Sequence, residues 1–186
     1  AELETNVNLR SFYSDQLAYP IALAVDDLLA GLFDDFSTNT VGTAGTAMSE
    51  DQIISCYQKL LEAEVEVTPA TCSWFVSPAE FVNLIKNDNF IDRNKATNMF
   101  GDIPGGRGYV GVLMNASVHV TTNLDAQGTG RDETLMSTEA LALVMQRMPR
   151  LSTDYDIFHL ADVVVLDAVY GVKEMRDDNG GCISGA

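Results

Sequence analysis

Positive charge is scarce in this chain: 11 Lys and Arg stand against 27 Asp and Glu, a formal net charge of −16 over 186 residues. Such a surface repels phosphate polyanions and anionic lipid, which argues against tight binding of nucleic acid or a membrane. Cysteine is scarce too. Cys56, Cys72 and Cys182 are odd in number and none stands in CxxC spacing, which argues against a disulfide framework and a zinc site and fits a reducing compartment. The only histidines, His119 and His159, sit in alternating or apolar runs with no second ligand nearby in sequence. They read as packed or surface residues rather than catalytic bases, and a Cys72–His pair would need a fold that spacing does not reveal. Long apolar runs are missing as well: nothing approaches the ~20 residues that cross a bilayer. The opening Ala-Glu-Leu-Glu-Thr-Asn has neither the basic nor the apolar region of a secretory signal. A first residue other than Met points to trimming, maturation cleavage or a chain that is part of a longer product.

What is present suits a folded protein. Hydrophobic residues make up 46% and charged residues 20%, enough for one core, or one core with a small satellite lobe. Leu17, Ile21, Val25, Leu28, Leu29, Leu32, Phe33 and Phe36 recur at helical spacing and predict a long helix over Asp15–Phe36. Pro20 either starts that helix or bends it. The acids Asp34 and Asp35 oppose the dipole at its end, so neighbours must support that terminus. Residues 37–48 read as a Gly-interrupted mobile loop. Ser49 and Gln52 then form a capping box for a helix ending near Val65, with Ile53, Ile54, Tyr57, Leu60 and Leu61 inward.

Cys72–Val76 reads as a buried strand, and Ser77-Pro78-Ala-Glu80 opens a helix carrying Phe81, Val82, Leu84 and Ile85. Residues 101–108 form a glycine-rich turn before a strand at Tyr109–Leu113, and Val118 and Val120 alternate with polar residues in a half-buried strand. Residues 124–133 read as a flexible loop. Thr134–Met136 reads as a strand leading into a short helix over Thr138–Gln146. A long extended run follows from Tyr155 to Met175 and ends on a charged Asp-Asn-Gly turn. The sum is a mixed α/β domain, with the long helix and the long terminal strand as a second lobe.

The chemistry-bearing patterns are few. Arg107 in the glycine turn could hold an anion, but the P-loop Lys-Ser/Thr is missing and a strand follows where a helix should. At the tip of such a turn, an arginine instead suits a carboxylate on a neighbouring subunit. The pairs Asp26-Asp27, Asp34-Asp35 and Asp177-Asp178 match no calcium loop, and adjacent helical residues point about 100° apart, so they read as solvated faces. Met145, Arg147, Met148 and Arg150 form an apolar and basic patch on an acidic chain. It is either a helix C-terminus or a subunit contact, since Met and Arg favour interfaces.

Taken in order, LAYPIALAVDDLLAGLFDDF, NTVGTAGTAMSEDQI, FVSPAEFVNLIKNDNFIDR, YVGVLMNASVHVTTNL and EALALVMQRMPRLSTDYDIFHLADVVVLDAVYGVKEMRDDNG resemble the second half of tailed-bacteriophage major capsid proteins. The resemblance spans nearly the whole chain and implies an α+β, Hong Kong 97-type capsid fold. A long spine helix and a β-hinge would form a peripheral P-domain from residues 1–48 and 137–186, with the returning strand at Tyr155–Arg176. A mixed α/β A-domain would occupy residues 49–136, its tip at 101–108 and 124–132.

The implied function is a structural shell subunit that assembles into pentamers and hexamers around phage double-stranded DNA, without sequence-specific binding. Scaffolding, portal or decoration proteins would be further partners. No enzyme activity, cofactor, metal or membrane is implied, and the location is the virion capsid, assembled in the host cytoplasm. Arg107, Arg131, Arg147 and Arg150 are the candidate subunit-interface residues. The N-terminal arm and E-loop usual in the family are scarcely visible, so Ala1 is expected to start partway along the gene product. The crosslinking lysine of some relatives lies in that E-loop, and Lys59, Lys86, Lys95 and Lys173 inherit no such role. Two other readings stay open: a small α/β anion-binding domain or enzyme using the 101–108 turn, and an encapsulin-like compartment shell.

Overall fold

In the computed structural model, residues 9–86, 109–124, 126–127, 130–159 and 161–185 are described. They form two compact units: Ala1–Leu28 with Leu143–Val172, and Leu29–Ala142 with Lys173–Ala186. The expected P-domain segments 29–48, 137–142 and 173–186 thus group with the sheet of the second unit.

That sheet has seven strands: β1 (Val41–Gly42), β2 (Cys72–Val76), β3 (Tyr109–Leu113), β4 (Ala116–Val120), β5 (Ala126–Gln127), β6 (Gly130–Ser137) and, beyond two longer strands, β9 (Gly180–Ser184). Their order is β1-β9-β6-β2-β4-β3, with β5 paired to β6. β1 runs parallel to β9 and β2 parallel to β4, while the β9–β6, β6–β2 and β4–β3 pairs are antiparallel. The β3–β4 hairpin turns at Met114 and Asn115, both at positive φ, as a tight two-residue turn requires. Asn115 Nδ2 donates to the Val67 carbonyl at 2.7 Å and fixes the turn.

The two-residue period of a strand sends alternate side chains to opposite faces, and each face has its own core. Trp74, Val76, Val118, Leu135 and Ile183 pack with Ile53, Cys56 and Leu60 of α2 (Glu50–Glu62) and Leu84 of α3 (Pro78–Lys86). On the other face, Cys182, with partly buried Phe75 and Met136, meets Ala30, Phe33, Phe36, Leu124 and Ala140. Phe33 and Phe75 lie 5.6 Å apart between ring centres.

Both predicted helix starts form. Ser49 Oγ accepts the Gln52 N–H while Gln52 returns a bond to the Ser49 N–H. Ser77 Oγ accepts the Glu80 N–H at 3.2 Å. The inward set of α2 differs from expectation: Ile53, Cys56 and Leu60 are buried, whereas Ile54 and Leu61 are 48% and 49% exposed. Small Cys56 packs against Gly181 of β9, which selects the narrower face.

In the first unit, α1 (Leu9–Ala30) begins before Asp15, runs through Pro20 and stops six residues short of Phe36. Three-residue turns then carry the chain through Leu32, Phe33 and Asp35, so Asp34 and Asp35 lie outside the helix. Residues 37–48, read as a loop, contain a short 3₁₀ turn at Ser37–Asn39 and β1.

The expected helix at Thr138–Gln146 is instead the start of β7 (Leu141–Asp156), paired with β8 (Ala161–Glu174) in a two-stranded ribbon. Pairing along β8 overrides the helix propensity of Ala, Leu and Met. The run expected over Tyr155–Met175 is accordingly two strands, β7 ending at Asp156 and β8 beginning at Ala161. The loop expected at 124–133 contains β5 and most of the start of β6, whose charged residues Asp132 and Glu133 are buried. No helix among the described residues is long and apolar enough to cross a membrane.

Candidate functional site

The ribbon carries two of the four candidate arginines. Arg147 Nη1 donates to Asp167 Oδ2 at 3.0 Å and Arg150 Nε to Asp167 Oδ1 at 2.8 Å. Residues three apart on a regular strand point to opposite faces, so both side chains reach across to β8 through their length, with Pro149 between them giving the ladder no N–H. The Arg150 hydrogen bond, then that of Arg147, holds the Asp167 carboxyl below the usual carboxylate range. Arg147 and Arg150 therefore tie the two strands of their own ribbon, and the alternative of a helix C-terminus for this patch is replaced by strand β7.

Around them the ribbon is apolar and exposed. Val144, Met148 and Tyr155 on β7 are 66%, 72% and 53% exposed, and Ile157 and Phe158 in the turn are 75% and 96% exposed. His159 Nδ1 meets Asp156 Oδ2 at 2.6 Å and Asp156 also accepts the Phe158 N–H, which stiffens the turn behind those two side chains. The His159 bond and the Phe158 N–H pull the Asp156 carboxyl downward.

Arg131 lies in the other unit and is used internally: its Nη1 donates to the Thr122 and Leu124 carbonyls at 3.2 and 2.7 Å. Arg107 and the glycine turn 101–108 fall outside the described residues. The structure thus brings Arg147 and Arg150 together at Asp167 and leaves Arg131 in a separate unit.

Among the described residues, several other polar groups pack or hydrogen-bond within the sheet unit. His119 is half-buried against the Phe75 ring, 5.6 Å between centres, and burial lowers its pKa. All three cysteines are free and buried; burial pushes Cys56 up to about 12 and also raises Cys182. Thiols this reluctant to ionise make poor nucleophiles. Among the described residues no cluster of three His, Cys, Asp or Glu can hold a metal. Asp177, read as a solvated residue, accepts Ser37 Oγ, the Thr38 N–H and Thr38 Oγ1, while Asn39 Nδ2 donates to the Asp178 and Gly180 carbonyls. The turn residues Asp-Asp-Asn-Gly and Ser-Thr-Asn are both visible in sequence, but nothing there pairs them. Buried Glu80 and Glu133 were also missed, because both sit in segments that read as ordinary element starts or loop.

Neither a protein family nor a curated protein matches the chain by sequence. Solved structures do match. A chain from Mycobacterium phage Che8 is similar over 93% of this chain and 62% of its own, at 17% identity and a TM-score of 0.67. The capsid structure of the cyanophage P-SCSP1u is similar over 94% of this chain and 65% of its own, at 14% identity and a TM-score of 0.67. The chain has a phage-capsid fold. The capsid fold extends to an encapsulin complex from Synechococcus elongatus, with 10% identity, 92% of this chain and 64% of that one covered, and a TM-score of 0.58. The chain spans less than two thirds of the length of each of these capsid-fold chains.

Proposed function

We propose that the chain is the later portion of a Hong Kong 97-type major capsid protein, a structural subunit that assembles as pentamers and hexamers into an icosahedral shell around phage double-stranded DNA. In this reading α1 is the spine helix, the β7–β8 ribbon is the β-hinge of the peripheral domain, and the seven-stranded sheet with α2 and α3 is the axial domain. The protein resides in the virion, and scaffolding, portal or decoration proteins are its further partners.

The observation that carries the reading is the ribbon. Two strands of 16 and 14 residues stand as a separate sheet with large apolar side chains exposed along β7, β8 and the turn. An isolated two-stranded ribbon is marginal in water, and exposed apolar surface on this scale marks a contact surface. Neighbouring copies would supply the missing cover. Repetition of one such contact around closed symmetry lets individually weak interfaces hold a shell. Electron microscopy of the purified full-length protein tests this. Uniform closed particles are expected; monodisperse monomers at high concentration would overturn it.

The likeness to an encapsulin favours one second reading, a compartment shell loaded with protein. The contents of particles purified from the native source decide between them: nuclease-protected DNA for the phage shell, a protein cargo for the compartment.

A further inference from the structure

Strand alternation places Glu133 on the same face of β6 as Leu135, under the helices. Its side chain is fully buried, and neither carboxylate oxygen has a partner in hydrogen-bond geometry. Across from it stands Glu80 in the first turn of α3, also fully buried, which accepts the Met48 N–H at 3.0 Å and Asn83 Nδ2 at 3.4 Å. The Ser77 hydroxyl, whose oxygen also accepts the Glu80 N–H, and nearby backbone N–H groups pull Glu133 toward the ionised form, but burial outweighs them.

The backbone of Gly185 closes the other side. A methyl group on Gly185 would fall 2.2 Å from Glu133 Oε2, and one on Gly130 would fall 2.0 Å from the Gly185 oxygen. Gly185 is held by its N–H to the Arg131 carbonyl and by its carbonyl to the Gly45 N–H, each at 2.8 Å. Loop 43–48 is therefore anchored at Gly45 to Gly185 and at Met48 to Glu80, the two groups that flank Glu133.

Burial first, and the charge of Glu80 with it, raises the Glu133 carboxyl to about 7. Glu80 is the charge that bears on Glu133. Asp132 points to the opposite face, toward Cys182 Sγ and Ser184 Oγ. Loop 43–48 carries no titratable residue, and β9 carries only Cys182, on the Asp132 side. α2 opens with Glu50 and Asp51 at its first turn, of which Asp51 is exposed.

We propose that Glu133 and Glu80 form a proton-operated latch: while Glu133 is neutral, loop 43–48 and Gly185 stay closed over the sheet, and loss of its proton releases them. Ionisation sets a second negative charge opposite Glu80 in a site closed to water, and the cheapest relief is to admit water by lifting the loop and Gly185, whose ties are few, rather than by separating β6 from β2 and β9.

Hydrogen exchange of the full-length protein between about pH 5.5 and about pH 8.5, corrected for the chemical rate, tests the latch. Opening of residues 43–48 is expected to rise at least about tenfold across that interval while β2 and β6 amides stay protected. Glu133→Gln is expected to abolish the rise and to remove the infrared band of an un-ionised carboxylic acid at neutral pH. Glu80→Gln, which keeps an amide oxygen for Met48, is expected to flatten the rise too and serves if the first variant does not fold. A loop whose exchange is independent of pH in the wild type, or rises equally in the variants, overturns the proposal.

Discussion

Asp177 gathers three donors from Ser37 and Thr38, and Asn39 spans to the carbonyls on either side of the same turn. Hydrogen bonds to a charged acceptor contribute about 1.5–3 kcal/mol in favourable cases. Asp177→Ala should therefore lower unfolding stability by about 1–2 kcal/mol after discounting for partial exposure, read by urea denaturation. Trp74, fully buried among Val76, Val118 and Leu135, is a larger loss: Trp74→Ala should cost about 3–5 kcal/mol. Glu133 adds a pH term. Its carboxyl stands near 7 when folded, raised by burial first and then by Glu80, against about 4.3 in an unfolded chain. The folded state binds the extra proton between those values, so stability is fullest below about pH 4.3 and falls as pH rises through about 7. The loss is at most about 4 kcal/mol, and Glu133→Gln should remove that slope from a stability–pH curve.

Among the elements, those with local chemistry were legible in the sequence. Ser49 with Gln52 and Ser77 with Pro78 marked two helix starts, and the apolar Cys72–Val76 run marked a central strand. β7 was not legible at its start, because Ala, Leu and Met favour helix and only pairing with β8 makes them extended. Ile54 and Leu61 show the same limit: α2 is apolar on two adjoining faces, and only the close approach of Gly181 to Cys56 chooses between them. Thr134–Met136 was legible as strand, but the first half of β6 was hidden by its charges, since a segment carrying Arg131, Asp132 and Glu133 looks like a loop until neighbours bury it. Of the four candidate arginines, the sequence singled out Arg147 and Arg150 as a pair but could not show Asp167 between them. Asp167→Asn should weaken that tie and raise hydrogen exchange along β7 and β8 while leaving the β2 and β6 amides protected.

At the scale of the whole chain, the net charge of −16 sets the terms on which copies would associate. On the proposed reading, copies of so acidic a chain would repel one another until apolar contacts form at short range, and salt shortens the reach of that repulsion to about 8 Å at physiological ionic strength. Raising salt from about 0.02 M to about 0.3 M should therefore speed association of the full-length protein in light scattering. Slower association at higher salt would mean that charge pairing, not apolar contact, drives assembly. Mutations of Ile157 and Phe158 to Ser should slow association at every salt concentration, with the helix and sheet content unchanged by circular dichroism.

At the base of the ribbon, the Ala140 carbonyl accepts the N–H of both Met175 and Arg176, and Arg176 pairs with Glu139 at 3.0 Å. The chain leaves the sheet unit at Ala142 and re-enters it at Lys173 through this fastening. The segment between is topologically an insertion, closed at its root. Its length is consequently a free variable: matched pairs of residues can be gained or lost from β7 and β8 without moving a strand of the sheet. Substitution and length change in the ribbon can therefore accumulate while the sheet unit stays fixed.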